Sequence, residues 1–316
     1  MAEPERVIER DHHAVDVLRG CAEGELSRAV ALVRLLIVYG DVAALQGALE
    51  TIGSADRGAA IRHAVEEIKG LLATHPQGSA LVLDMLEAER AGGGPDEEGE
   101  VERCRSLFDR LVGADAAASV ALYSFGDPAL LDAATREVVE LLERLGVLGP
   151  ERQVLDIGCG IGRFEQALAC RVAAITGIDL APGMIEAARR RCAGLSNVTL
   201  LETSGRDLSA FPSGSFDTVL AIDAMPYVWR AGAALVASHF AEVARVLRAA
   251  GDCVILNLSY RGDLEDDRED ARRLAETAGL RVLRNGTTDL RLWDGATFHL
   301  RKPDAAAAGA EISPPG

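Results

Sequence analysis

Short apolar runs punctuate the second half of the chain and predict buried strands. Continuous apolar runs bounded by turn residues are typical of strands covered on both faces. The runs lie at Val154–Ile157, Val172–Ile178, Val198–Glu202 and Phe216–Ile222. The first ends in a glycine turn followed by a helix start, and a helix is predicted at Ile185–Cys192 after the second.

The C-terminal part continues this pattern. A fifth strand is predicted at Cys253–Tyr260, and the polar stretch Gly262–Asp270 opens a helix that reaches about Ala278. Two last strands are predicted at Arg281–Arg284 and Leu290–Leu300, joined by a turn over residues 285–288. Helices at Val101–Val112 and Leu130–Leu145 are predicted ahead of the first strand.

The N-terminal third has a different pattern, with apolar residues at helical spacing. Ile61, Val65, Ile68 and Leu72 form such a stripe. Gly- and acid-rich residues 91–100 have the composition of a linker. We therefore predict an all-α region over residues 1–90, a linker over 91–100, a main domain over 101–303 and a disordered tail over 304–316.

Three interpretations of the helical region stay open at this point. It is a small bundle that packs on the main domain or forms a homodimer, a cap that helps to choose a substrate, or a separate protein-interaction module. Its histidines have no metal-ligand spacing, and surface positions are the expectation for them.

Charge and composition restrict the class of function. The net charge of −16 and pI near 4.9 come without a basic stripe, which disfavours a nucleic-acid partner or an anionic membrane surface. The six cysteines form neither a C-x-x-C pair nor a zinc pattern, so no metal is expected and reduced thiols are predicted. The apolar stretch Ala29–Tyr39 is too short to span a bilayer. We expect a cytoplasmic protein.

The most informative segment is the glycine turn after the first strand. Its glycines stand at alternate positions, Gly158, Gly160 and Gly162, whereas the dinucleotide motif G-x-G-x-x-G has two residues before its last glycine. Asp156 precedes the turn, and a carboxylate there repels a phosphate but holds a cationic group. Asp179 follows about 20 residues after Gly158, the interval of a carboxylate that accepts ribose hydroxyls.

These residues resemble the class I S-adenosylmethionine-dependent methyltransferases. The segment Asp156–Gly162 matches the first motif of that family, Asp179 matches its ribose-binding acid, and Ser215-Phe216-Asp217 matches the start of its fourth strand. The resemblance covers about residues 104–302. It implies an α/β fold with a seven-stranded Rossmann-like sheet, mostly parallel with one antiparallel strand, and S-adenosyl-L-methionine as cofactor.

The resemblance also implies roles for single residues. Backbone at Gly158, Gly160 and Gly162 faces the methionine part of the cofactor, whose amino group Asp156 helps to hold. Asp179 binds the ribose, and Leu180 and Met184 flank the adenine. Asp207 and Leu208 contact the adenine edge, with Glu202 as the alternative acid, and Tyr123 is the candidate aromatic lid.

Methyl transfer to a small molecule, at oxygen or nitrogen, is the function that we predict. Asp223 is the candidate base or amine-positioning acid, because it follows the fourth strand beside the expected methyl group. Tyr227, His239 and Tyr260 are weaker candidates. A protein acceptor, an inactive cofactor-binding partner subunit and an NAD-dependent oxidoreductase are the competing functions. The glycine spacing and the missing Tyr-x-x-x-Lys motif disfavour the last.

Overall fold

The computed structural model describes residues 3–55, 57–90 and 97–304. The chain divides into a helical unit of Met1–Gly92, Arg110–Glu137 and Leu290–Asp294, and a sheet unit of Gly93–Asp109, Val138–Asp289 and Gly295–Gly316. Most of the predicted linker and all but the first residue of the predicted tail lie outside the described residues. The predicted domain boundaries stay a prediction, although the helical unit takes in two later segments of the chain.

Helices make up the N-terminal region, as predicted. They are α1 Glu3–Ala22, α2 Arg28–Tyr39, α3 Val42–Ser54, α4 Ala59–Thr74 and α5 Pro76–Arg90. The helices that follow are α6 Glu97–Ala114, α7 Pro128–Arg144, α8 Arg163–Leu168, α9 Pro182–Arg191, α10 Met225–Ala231, α11 Ala233–Val246 and α12 Leu264–Thr277. Val65, Ile68 and Leu72 of the stripe on α4 are buried, Ile61 is partly buried, and all four pack with the other N-terminal helices in one apolar core.

The sheet unit holds seven strands in the order β3-β2-β1-β4-β5-β7-β6. They are β1 Gln153–Ile157, β2 Ala174–Asp179, β3 Val198–Glu202, β4 Phe216–Ile222, β5 Leu247–Leu256, β6 Arg281–Thr288 and β7 Ala296–Arg301. All neighbouring pairs from β3 to β5 are parallel, and β7 runs antiparallel to both β5 and β6. This confirms the predicted seven-stranded sheet with one antiparallel strand. The strand order reverses between β1 and β4, where open α/β sheets bind ligands.

The predicted turn at residues 285–288 is wrong. β6 continues to Thr288, and its pairing with β7 shifts register between Val282 and Arg284 and again between Asn285 and Thr287. Gly286 has a φ of 68°, as expected where a bulge inserts an extra residue into a strand. The strand therefore absorbs the Asn-Gly pair as a bulge, and the chain turns later, between Asp289 and Gly295.

Residues 290–294 belong to the helical unit, where polar contacts hold them. Glu137 accepts hydrogen bonds from the backbone N–H groups of Arg291 and Leu292, at 2.7 and 2.9 Å. The Ser27 hydroxyl donates to the carbonyl oxygen of Leu292 at 3.0 Å. The predicted last strand, Leu290–Leu300, is therefore wrong over this segment, and β7 begins at Ala296.

A buried carboxylate joins three strands at the amino-terminal end of β1. Asp252 is fully buried and contacts His299 at 2.8 Å, Arg301 at 2.8 Å and Arg152 at 3.1 Å. Burial alone would raise the pKa of Asp252, but hydrogen bonds from these three partners outweigh it and lower the pKa. The network ties β1, β5 and β7 together below the functional end of the sheet.

In the part of the chain that the structure describes, no single helix has the length and apolar character to cross a membrane. Two successive helices, Arg28–Tyr39 and Val42–Ser54, meet these criteria only as a pair bent by 110°.

We expect Asp252→Ala to lower the free energy of unfolding by about 3 kcal/mol, because it takes the shared carboxylate from the buried His299 and from two partly buried guanidinium groups. Since the folded pKa is lowered, the stabilisation by Asp252 is present above its unfolded pKa and is lost as the pH falls through the folded value. Urea denaturation at several pH values measures both effects. Glu186→Ala, which breaks an exposed pair with Arg190, is the control and should cost at most about 1 kcal/mol. Equal costs for the two variants would contradict this role of Asp252.

Candidate functional site

The glycine loop between β1 and α8 folds back against β2. Its three glycines have φ values of 74°, 53° and 75°. The N–H groups of Gly158 and Cys159 both donate to the carbonyl oxygen of Ile178, at 2.8 and 2.9 Å. A Cβ atom on Gly158 would lie 2.6 Å from the Cβ of Ala224. Only glycine therefore allows this loop to approach the end of β4 so closely.

Asp179 organises the loop from the end of β2. Its carboxylate accepts hydrogen bonds from the N–H groups of Gly160, at 3.0 Å, and Ala181, at 2.9 Å. Burial raises the pKa of Asp179 to about 6, while these backbone donors act in the opposite direction. Each carboxylate oxygen has a second lone pair, so the side chain can still accept from a ligand.

A largely apolar cavity opens to solvent beside this loop. Its wall is mostly apolar and comes from the ends of β1, β2 and β4 together with α6, α10 and α11. The lining residues are Val101, Cys104, Ile157, Gly158, Ile178, Asp179, Leu180, Thr203, Gly205, Asp207, Leu208, Ala224, Tyr227, Val228, Ala231, Leu235 and His239.

The structure brings together many of the residues predicted from the sequence. Those that line the cavity are Gly158, Asp179, Leu180, Asp207, Leu208, Tyr227 and His239. Asp156, Gly160, Gly162, Met184 and Asp223 do not line it. Met184 is buried in α9, and the two remaining glycines shape the loop backbone behind the cavity wall.

Tyr123 lies in the helical unit. Its ring is buried and stacks on Trp293, with ring centroids 6.2 Å apart. Its role as a lid over the cofactor stays a prediction.

The first part of α6 forms a wall of the cavity, which the sequence analysis missed. Val101 and Cys104 line the cavity from this helix. Three polar contacts hold this part of the helix in place. The Gly183 N–H donates to Asp109 at 2.8 Å, and Arg105 donates to Glu202 at 2.7 Å. Arg230 forms an ion pair with Glu100 at 3.0 Å. The helix starts at Glu97, inside the predicted linker, because its acidic first turn suits a helix N-terminus.

Asp156 lies beneath the loop against a second carboxyl group, that of Glu165 on α8. Both side chains are buried, and neither oxygen pair finds a well-placed donor among the described residues. Space for Glu165 exists because position 177 on β2 is glycine, where a Cβ atom would lie 2.5 Å from Glu165 Oε1. Burial raises the pKa of Asp156 to about 7 and that of Glu165 well above its ordinary value. One shared proton lets one carboxyl donate to the other.

The far side of the cavity combines an exposed acid with a buried histidine. Asp207 accepts hydrogen bonds from the N–H and hydroxyl of Ser209, at 3.0 and 2.5 Å, and these lower its pKa. The buried His239 bonds through Nδ1 to the carbonyl oxygen of Leu235 at 2.9 Å. Since a carbonyl oxygen only accepts, Nδ1 carries the hydrogen.

Asp223 stands directly after β4 in the left-handed backbone region, with a φ of 61°. Its Oδ1 accepts from Asn257 Nδ2 at 3.0 Å and from the Tyr260 hydroxyl at 2.7 Å. Ala224 and Tyr227, which follow it, line the cavity. Asp223 thus sits at the border between the cavity and the end of β5.

Comparisons with known proteins point to one family. Residues 154–251 match the family model described as a methyltransferase domain. A demethylmenaquinone methyltransferase of Tropheryma whipplei is 37% identical over 116 residues, 37% of this chain and 45% of that enzyme. A ribosomal RNA uracil-C5 methyltransferase of Klebsiella pneumoniae is 39% identical over 31% of this chain and 22% of its own. The chain thus spans less than half of these curated relatives.

Among solved structures, the phosphoethanolamine N-methyltransferase 1 of Haemonchus contortus, in complex with phosphoethanolamine and S-adenosylhomocysteine, has a TM-score of 0.50. It is 17% identical, and the match covers 70% of this chain and 52% of that one. At this identity the likeness shows the fold alone. Together the comparisons confirm the resemblance inferred from the glycine loop.

We expect the Asp156–Glu165 pair to make folding pH-dependent. Because the folded pKa of Asp156 is raised, its stabilising effect is full below its unfolded pKa and is lost as the pH rises through about 7. Glu165→Gln supplies an amide donor to Asp156 in place of the shared proton. The loss of unfolding free energy between pH 5 and pH 8 should therefore shrink by about 2 kcal/mol.

Thermal and urea denaturation of the wild type and variant at both pH values measure this difference. Glu143→Gln, at an exposed carboxyl, is the matched control and should shift stability by about 0.5 kcal/mol or less. Parallel pH profiles for the wild type and Glu165→Gln would rule out the shared proton.

Proposed function

Because residues 154–251 match the model of a methyltransferase domain, we propose that the chain is an S-adenosylmethionine-dependent methyltransferase of the class I family. The observation that carries the proposal is the cavity bounded by the glycine loop and by Asp179 at the ends of β1 and β2. We further propose that the acceptor is a small molecule, methylated at oxygen or nitrogen.

The residues present fit this cofactor. The ribose hydroxyls would donate hydrogen bonds to the Asp179 carboxylate, which the N–H groups of Gly160 and Ala181 already orient. Ile178, Leu180 and Leu208 supply apolar surface for the adenine ring. The buried acids around the loop favour a ligand with cationic groups over one with a pyrophosphate, because carboxylates repel a phosphate.

When bound, S-adenosylmethionine supplies a methyl group on a sulfonium, with a neutral thioether as leaving group. The protein's contribution is mainly placement of the acceptor about 3 Å from that carbon. Asp223 is positioned to take a proton from an acceptor that is protonated at working pH. The apolar walls from α6, α10 and α11 exclude water around the reacting atoms.

A small acceptor is supported by the helix that covers the cavity. Val101 and Cys104 of α6 close one side, and the contacts at Asp109, Arg105 and Glu100 hold that helix in place. A protein or nucleic-acid acceptor needs an open rim instead. A partner subunit without catalysis would bind the cofactor but transfer no methyl group, so a methylation assay separates it from the enzyme.

The first test is calorimetric titration with S-adenosylmethionine, S-adenosylhomocysteine and NADH in parallel. We expect both adenosyl ligands to bind with micromolar affinity and NADH not to bind, because the loop spacing leaves no pyrophosphate site. Binding of NADH without the adenosyl ligands would contradict the proposal.

A second test addresses Asp179. Asp179→Ala should weaken binding of S-adenosylhomocysteine by about 1–3 kcal/mol, since it removes an acceptor from hydrogen-bonding hydroxyls. Asp217→Ala, at an acid that bonds Gln153 and Arg248 away from the cavity, is the control for general damage. Unchanged affinity in Asp179→Ala, with the fold intact by circular dichroism, would remove Asp179 from the ribose site.

A further inference from the structure

Two strained residues meet at the ends of β4 and β5. Asp223 and Asn257 are both non-glycine residues with left-handed backbone, at φ values of 61° and 63°. Each costs conformational free energy, and such residues concentrate at functional sites. Their backbones are fixed by neighbouring strands, since Asp223 N–H donates to the Leu256 carbonyl and Asn257 N–H to that of Ala296, both at 2.9 Å.

The left-handed backbone at both positions lets Asn257 hold the carboxylate of Asp223 in one orientation. Asn257 donates from Nδ2 to Asp223 Oδ1 at 3.0 Å, and its own Oδ1 accepts from the Ala296 N–H at 3.1 Å. The amide is therefore held at both ends and cannot rotate away without losing a hydrogen bond. Asn257 acts as a positioning residue for Asp223.

A row of aromatic rings begins at this carboxylate. The Tyr260 hydroxyl donates to Asp223 Oδ1 at 2.7 Å, and half of the Tyr260 side chain is exposed. The ring of Tyr227 meets that of Tyr260 edge-on, with centroids 5.8 Å apart, and Phe108 packs edge-on against Tyr227 at 4.8 Å. We call Asp223, Tyr227, Tyr260 and Phe108 the acceptor corner. Tyr227 joins it to the cavity.

The charges nearby favour a cation in this corner. Arg230 pairs with Glu100, at 3.0 Å, and Arg261 pairs with Asp267 and Asp270, at 2.6 and 2.8 Å. These guanidinium groups thus already bind acids of the sheet unit. An anionic acceptor would meet Asp223, whereas an ammonium gains both a carboxylate partner and the electron-rich faces of tyrosine rings.

We infer that the acceptor corner binds a small amine in its protonated form, with its ammonium on Asp223 and against Tyr227 and Tyr260. The inference rests on the proposed methyltransferase function and narrows its acceptor to nitrogen. In this complex one ammonium proton passes to the Asp223 carboxylate, which becomes a carboxylic acid. The neutral amine keeps the lone pair that a nucleophile requires.

The test uses three probes of similar shape and different charge, benzylamine, benzyl alcohol and benzoate. Each is titrated by calorimetry into the full chain saturated with S-adenosylhomocysteine at pH 7. We expect benzylamine to bind at least about tenfold more tightly than benzyl alcohol, and benzoate to bind most weakly.

Variants assign the preference to the corner. Asp223→Asn, which tolerates the left-handed backbone, should remove the preference for benzylamine over benzyl alcohol. Tyr260→Phe keeps the ring and should retain most of the preference, whereas Tyr260→Ala should reduce it. The affinity for S-adenosylhomocysteine should stay unchanged in all three.

The outcomes separate this inference from the function on which it rests. Equal binding of benzylamine and benzyl alcohol, tighter binding of benzoate, or no binding of benzylamine overturns the amine acceptor while S-adenosylhomocysteine still binds. A preference for benzylamine that survives Asp223→Asn overturns the assignment to the corner. Failure of S-adenosylhomocysteine to bind the wild type overturns the proposed function itself.

Discussion

The close backbone approach of the glycine loop to β2 and β4 is the constraint on which the site depends. Two N–H groups of the loop converge on one carbonyl oxygen, that of Ile178. The Asp179 carboxylate then takes the N–H of Gly160. Because the side chain of Ala224 stands where a Cβ on Gly158 would be, the loop can only close on β4 with glycine there. Gly158 is the part of this loop that lines the cavity.

This arrangement places several carboxyl groups in a poorly solvated region. Burial raises the pKa of Asp156 and of Asp179 towards neutrality. A site for an anionic ligand would be built from N–H groups and cations, whereas here acids lie behind the loop and beside it. A ligand that carries positive charge would relieve part of that electrostatic cost, so the acids that destabilise the fold at high pH are compatible with the proposed sulfonium cofactor.

The elements of the sheet could be predicted from the sequence where local pattern and motif agree. β1, β3 and β4 lie within a residue of their predicted bounds, because each is a short apolar run ended by a turn or an acid, although β3 is an edge strand and is not buried as predicted. The bulged end of β6 could not be predicted, since an Asn-Gly pair serves equally well in a hairpin turn and in a bulge. Glu165 was missed because its space depends on Gly177, which only strand register places opposite Asp156.

The residues of the candidate site also fall into two groups, those that a local sequence motif predicts and those that only the fold brings together. Gly158 and Asp179 could be predicted because the motif fixes their places after β1 and at the end of β2, and Asp207 because the family resemblance places an adenine contact in the loop after β3. The partners of Asp223 could not, since Asn257 and Tyr260 come from a different strand end and Phe108 from a helix before the sheet.

The two parts of the site differ in predictability because they are built from different kinds of groups. In the proposed function, the cofactor would be contacted mainly by backbone and by strand-end acids, whose positions follow from the fold. The acceptor corner instead depends on side chains that several elements bring together around one strained carboxylate. Ala224 and Tyr227 connect the glycine loop with the acceptor corner. Ala224 packs on the loop at Gly158, and Tyr227 packs on Phe108. A change in α10 would therefore alter the acceptor geometry before it altered the cofactor loop.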